Sequence, residues 1–258
     1  MAPVISVRGV SKAFRIPTER RDTLREHVLG LFEPRGFRTL QVLDDISFDV
    51  QPGEALGIMG RNGCGKSTLL KIICGIFPPD AGEVATRAPI TPILELGVGW
   101  NPELDAIDNV CLVGSVMGLS LPEIRRRMAE ILDFAELEPF ANLKLKHYSS
   151  GMAMRLGYSV AFAAARELLI LDEIFAVGDA GFTAKCEARF LALHSAGHSA
   201  ILVSHSPEVI GDYCDRGLLI DAGRVRFHGD PRRTADRYIK LLTPPNVRDV
   251  AVGANHDR

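Results

Sequence analysis

The chain has 258 residues, 47% hydrophobic and 24% charged, enough to bury a sizeable core and too apolar for disorder as its main state. Its 30 basic and 32 acidic residues leave a formal net charge of −2, which excludes a sequence-blind basic coat, so no nucleic-acid partner is expected. Cys64, Cys74, Cys111, Cys186 and Cys214 are odd in number and scattered, with no CxxC; a disulfide framework or zinc site is not expected, and the thiols read as reduced and cytosolic.

Val4 to Val7 reads as a short strand, and Ile46 to Val50 as an alternating one. Between Arg15 and Leu40 lies an insertion in which Leu24, Val28, Leu31 and Phe32 share one helical face. That face suits either a surface helix covering a sheet edge or an interaction helix facing a membrane partner. Ala55 to Met59, Leu168 to Leu171 and Ala200 to Val203 are unbroken apolar runs, the mark of strands buried on both faces. Asn101 to Ala165 is mostly helical, broken at Pro102, Pro122 and Pro139. Leu218 to Ile220 and Arg224 to Phe227, joined by Asp221-Ala222-Gly223, read as a hairpin. A short helix is expected over Thr234 to Leu242, followed by a frayed polar tail. The expected architecture is α/β: a mostly parallel sheet core at about 1–95 and 166–242, with a helical subdomain inserted at about 96–165 and a tail at 243–258. No apolar run reaches the roughly 18 residues of a membrane span, and Met1 to Arg8 lacks the order of a secretory signal.

Gly60-Arg61-Asn62-Gly63-Cys64-Gly65-Lys66-Ser67 fits the P-loop pattern completely, with a buried strand before it and a helix from Thr68 to Ile73 after it. Gly60, Gly63 and Gly65 let several backbone N–H groups turn toward one anion, with Asn62, Cys64 and Thr68 in the same cradle. The helix N-terminus adds about half a positive charge. Lys66 is placed to reach the β- and γ-phosphates of ATP, and the Ser67 hydroxyl to ligate Mg²⁺. Leu168 to Leu171 ends in Asp172 and Glu173; beside the P-loop strand, Asp172 would hold Mg²⁺ and Glu173 would take the proton of an attacking water. Cys64, at a helix N-terminus, is expected to have a lowered thiol pKa and to be sensitive to alkylation.

Tyr148-Ser149-Ser150-Gly151-Met152 before a helix resembles the signature motif of ABC ATPases. Asp179 fits the D-loop aspartate of that family, His205 its switch histidine, and Phe14 the aromatic that stacks on adenine. The order and spacing of these motifs cover most of residues 4 to 240. The signature variant, Glu95-Leu96-Gly97-Val98-Gly99 with Asn101-Pro102-Glu103-Leu104, Ala176-Val177-Gly178-Asp179 and the insertion from Arg15 to Leu40 resemble, more narrowly, the polysaccharide exporters of the family. Two departures stand out: Glu95 or Leu96 occupies the place of the Q-loop glutamine, leaving Glu95 as a candidate cation ligand, and Ile174 stands where a proline commonly follows the catalytic glutamate.

The resemblance implies a P-loop NTPase (RecA-like) core with an N-terminal antiparallel β part. It implies a head-to-tail homodimer sandwiching two ATP molecules, in which Ser149, Ser150 and Gly151 of one copy face the γ-phosphate on the other. It also implies an integral membrane permease as partner, lipid-linked polysaccharide (O-antigen, capsule, teichoic acid or galactan) as cargo, and a place on the cytoplasmic face of the inner membrane. A soluble ABC protein of ribosomes or DNA is disfavoured because the chain has no room for a second ATPase domain or long coiled coils. Intact Lys66, Asp172, Glu173 and His205 argue against a non-hydrolysing module, and the signature variant against an importer. At 258 residues no C-terminal carbohydrate-binding domain is expected.

Overall fold

The computed structural model describes residues 2–17, 37–94, 99–173, 175 and 179–243. The helical face of Leu24 to Phe32, the Glu95/Leu96 position, Ile174 and the polar tail lie outside the described residues. A three-stranded antiparallel sheet holds β1 (Ile5–Pro17) between β2 (Phe37–Val50) and β4 (Ala81–Thr86). A six-stranded sheet runs β5 (Ile90–Ile93), β6 (Leu168–Asp172), β7 (Ser199–Val203), β3 (Ala55–Met59), β8 (Arg216–Asp221), β9 (Arg224–Gly229). All its neighbours pair in parallel except β8 and β9.

The unbroken apolar runs follow from two covered faces. Leu56, Ile58, Leu168, Ile170, Ile201 and Val203 point into a cluster shared with α1 (Lys66–Ile73) and with Ile5, Val7 and Ile46 of the antiparallel sheet. Their neighbours Ala55, Met59, Leu169, Leu171, Ala200 and Leu202 point the other way. There they meet α4 (Ser150–Ala163), α5 (Ala180–Ser195), α6 (Pro207–Tyr213) and α7 (Pro231–Leu242). Each such Leu or Ile contributes roughly 1.5–3 kcal/mol by leaving water, so the central strands fix the frame on which the loops at their C-terminal ends are mounted.

A third cluster belongs to the helical part. It joins α2 (Ala106–Val116), α3 (Leu121–Ala135) and α4 through Val110, Ile124, Ile131, Leu156 and Val160. Asp105 caps α2 by accepting from the Asp108 N–H, and Ser120 with Glu123 forms a capping box at α3.

One expectation is corrected. The first strand does not end near Val7: β1 continues to Pro17, pairing Arg15 with Thr39, Ile16 with Arg38 and Pro17 with Phe37. The ends of the expected insertion from Arg15 to Leu40 are therefore a β-ribbon. Its residues Ile16, Phe37 and Leu40 are exposed, so this stretch carries no one-sided apolar alternation to betray a strand. A strand with no counterpart in the sequence reading is β4, in which every residue but Val84 is exposed, leaving no periodic signal at all.

Candidate functional site

The loop from Gly60 to Lys66 leaves the C-terminal end of β3 and runs directly into α1. Gly65 makes that turn at φ 107°, and a Cβ there would lie 2.6 Å from Leu43 Cδ2, so only glycine serves. Lys66 is 7% exposed, and its Nζ donates to the carbonyls of Gly60 at 2.7 Å and Arg61 at 3.2 Å. The ammonium is thus held over the loop by acceptors that an anionic oxygen can replace.

The neighbouring strands bring the acids. Asp172, at the end of β6, accepts from Ser67 Oγ at 3.2 Å. Burial, reinforced by the nearby Glu173 charge, raises its pKa, against the pull of the Ser67 hydrogen bond. Glu173 follows at φ 54°, a left-handed conformation unusual for a residue with a side chain. Its N–H donates to Val203 O, which ties the turn to β7. Its Oε1 lies 2.9 Å from Nε2 of His205, just beyond β7. His205 Nδ1 lies 2.9 Å from the hydroxyl of Tyr238 on α7.

These groups face one cavity of about 580 Å³, which Asn62, Gly63, Thr68, Phe14 and Val42 also line. Phe14, from β1, is braced edge-on by Phe77 at 5.9 Å and has Lys12 Nζ 5.7 Å from its ring centre. The lining combines an ammonium, two carboxylates and one aromatic ring, Phe14, a set that suits a purine nucleotide with its cation. Ser67 Oγ and Asp172 Oδ2 together offer two hard oxygens, which fits Mg²⁺, an ion that takes one or two protein oxygens and fills its shell from phosphate and water.

Two loop residues keep their side chains out of the cavity. Gly60 and Cys64 do not line the cavity. The Cys64 side chain is 5% exposed and belongs to the core cluster, and its N–H donates to Arg61 O. Burial pushes its thiol pKa up, outweighing the nearby Lys66 charge, so the expected lowering does not occur.

The signature residues lie elsewhere. Ser149 caps α4, accepting from Met152 N–H at 3.1 Å, and Ser149, Ser150 and Gly151 are exposed at that helix N-terminus. With Met152, Ser149 and Gly151 line a second cleft of about 460 Å³. Asp179 lies here too and not beside Lys66. It caps α5 through Phe182 N–H at 3.0 Å. That hydrogen bond, and then Arg155, hold its carboxyl below the usual range. Arg155 pairs with both Asp179 and Glu136, and Lys185 Nζ reaches Glu136 at 2.6 Å. The two clefts share no lining residue. Arg155 and Tyr238, which contact Asp179 and His205, are neighbours of the candidate residues that the sequence reading missed. Arg155 could have been suspected as a lone cation one turn into the signature helix; Tyr238, distant in sequence from every motif, gave no signal.

A family model described as ABC transporter matches residues 43–176. The ABC transporter protein AbcA of Aeromonas salmonicida is 40% identical over 93% of this chain and 77% of its own length. The O-antigen export system ATP-binding protein RfbB of Klebsiella pneumoniae is 36% identical over 94% of this chain and 100% of its own. The teichoic acids export ATP-binding protein TagH of Listeria innocua is 32% identical over 92% and 70%. In fold, the chain is similar to the dimeric post-hydrolysis structure of the ATP-binding cassette MJ0796 with ADP and Pi, at a TM-score of 0.71 and 24% identity over 88% of this chain and 99% of that one.

Proposed function

The chain belongs to the ABC transporter family, and from that premise we propose that it is the ATP-hydrolysing subunit of an exporter of lipid-linked polysaccharide. The observation that carries the ATPase reading is the cavity that gathers Lys66, Ser67, Asp172, Glu173 and His205 at the C-terminal edge of the parallel sheet, with Phe14 in the same lining.

Phe14 stacks on adenine. The loop N–H groups and the N-terminus of α1 hold the phosphates, and Lys66 exchanges the Gly60 and Arg61 carbonyls for phosphate oxygens. Ser67 and Asp172 would hold Mg²⁺, which would supply neutralisation of phosphate charge. Glu173 accepts the proton of the attacking water, and His205, bonded to it, contacts the γ-phosphate and helps place that water. Glu95 remains the candidate further cation ligand.

The second cleft supports a head-to-tail homodimer. Ser149, Ser150, Gly151 and Asp179 share no cavity with Lys66 of their own chain, so they serve the γ-phosphate held by a second copy, with a helix N-terminus and small residues suited to an anion. ATP closes this isologous pair and hydrolysis reopens it. The helical subdomain at about 96–165 passes that motion from the core at about 1–95 and 166–242 to an integral membrane permease. Among the described residues no helix is long and apolar enough to cross a membrane; the place proposed for the subunit, the cytoplasmic face of the inner membrane, rests on the permease partner. The glycan cargo is supported by relatives named for O-antigen and teichoic acid export that align with over nine-tenths of the chain.

The experiment is co-expression with a multi-helix membrane protein encoded beside this chain. A complex that co-purifies and hydrolyses ATP faster than the isolated subunit is expected. Independent behaviour of the two proteins, with unaltered turnover, removes the exporter assignment and leaves the ATPase.

A further inference from the structure

The ring of His205 is held from both sides. Nε2 faces Glu173 Oε1 at 2.9 Å, and Nδ1 faces the Tyr238 hydroxyl at 2.9 Å. Resting on the ATPase reading above, we propose that Tyr238 is a positioning residue that fixes the tautomer of His205, keeping a hydrogen on Nε2 where the γ-phosphate and Glu173 are met.

Hydrogen-bond valence gives the direction. A carboxylate oxygen only accepts, so Nε2 carries the hydrogen toward Glu173. In a neutral imidazole the other nitrogen is then bare and accepts, which assigns the Tyr238 O–H as donor to Nδ1. Burial pushes the phenol pKa up, so that hydrogen stays in place. A bare Nε2 would instead set a lone pair against Glu173 and against an arriving phosphate oxygen.

The phenol is anchored to the sheet and not to a loop. Tyr238 is 5% exposed on α7. One turn earlier, Thr234 is fully buried and its Oγ1 donates to Asp230 O at 2.9 Å. Thr234 packs onto Gly217 of β8 so closely that a Cβ there would lie 2.3 Å from Thr234 Oγ1. Gly217 pairs with Gly57 of β3, the strand that feeds the P-loop. A rigid path from β3 through β8 to α7 thus places the hydroxyl against the histidine.

The test is Tyr238→Phe, which removes the O–H and keeps the ring. The expected result is a fall in kcat of about tenfold, the factor that one such hydrogen bond commands, with ATP affinity and thermal midpoint close to wild type. Combined with His205→Ala, Tyr238→Phe is expected to cause no further fall. Wild-type kcat in Tyr238→Phe, or an equal further fall on the His205→Ala background, overturns the proposal. Ring ¹⁵N resonances of His205, assigned by their loss in His205→Gln, separate this claim from the ATPase reading because they need no turnover. A bare Nδ1 and protonated Nε2 in the wild type, lost in Tyr238→Phe, are expected; a protonated Nδ1 in the wild type overturns the tautomer assignment. A wild-type protein with these resonances but no ATP hydrolysis overturns the ATPase reading alone.

Discussion

The two clefts are built by opposite means. The phosphate cavity hangs from strands whose side chains are buried on both faces: β3 and β7 are buried throughout, and β6 is buried up to Asp172. Its acids, lysine and histidine inherit their places from that packing. The signature cleft is an exterior feature, where Ser149, Ser150 and Gly151 are exposed and the surroundings are tied by ion pairs among Arg155, Glu136, Asp179 and Lys185. Exposed pairs contribute little rigidity in water. The groups of the first cleft are preorganised by the core, whereas those of the second are held by surface contacts that can be exchanged.

That contrast can be broken most sharply at Glu173. The amide of Glu173→Gln can still accept from His205, so the cavity keeps its shape and ATP binding is expected to persist, while kcat falls by about 10²–10⁴, the usual value of a general base. Phosphate release measured beside nucleotide affinity checks both halves; near-wild-type turnover removes Glu173 as the base.

At the other cleft the effect is smaller and is one of stability. Ser149→Ala loses the cap of α4 and is expected to cost about 0.5–2 kcal/mol, read as a lowered thermal midpoint of the isolated subunit. A midpoint that does not move would mean that the α4 N-terminus is secured by more than its cap.

The smallest expected effect on stability has the opposite sign. Burial raises the Asp172 pKa, so the folded chain binds that proton more tightly than the unfolded chain. Below the ordinary carboxylate pKa of about 4 both states are protonated; as pH rises through the folded value, ionisation costs stability. Asp172→Asn is therefore expected to raise the thermal midpoint of the nucleotide-free protein by a few degrees at neutral pH and by less near pH 4, while abolishing Mg²⁺-dependent hydrolysis. An unchanged difference between the two pH values would show that Asp172 is not the strained group.

The same contrast decided what could be read without coordinates. Ala55 to Met59 was legible to the residue because a strand covered on both faces has no polar position. The acids after Leu171 and the loop before Lys66 were legible because their chemistry restricts residue type and spacing. The end of β1 from Arg15 and β4 were not, since a solvated ribbon tolerates almost any side chain. Asp179 was recognised, but its place beside Arg155 required the helices to be packed first. Tyr238 was invisible for the same reason: its partner lies 33 residues away in sequence, and nothing local to α7 distinguishes it from an ordinary buried aromatic.

Cys64 carries one more consequence. Sulfur within a nucleotide-gripping loop would normally offer peroxide a handle, because oxidation begins from the anionic, accessible form. Here the sulfur is packed inward among Leu and Ile side chains and kept protonated. An oxidant in the surrounding solution therefore finds little purchase on the sulfur at this position.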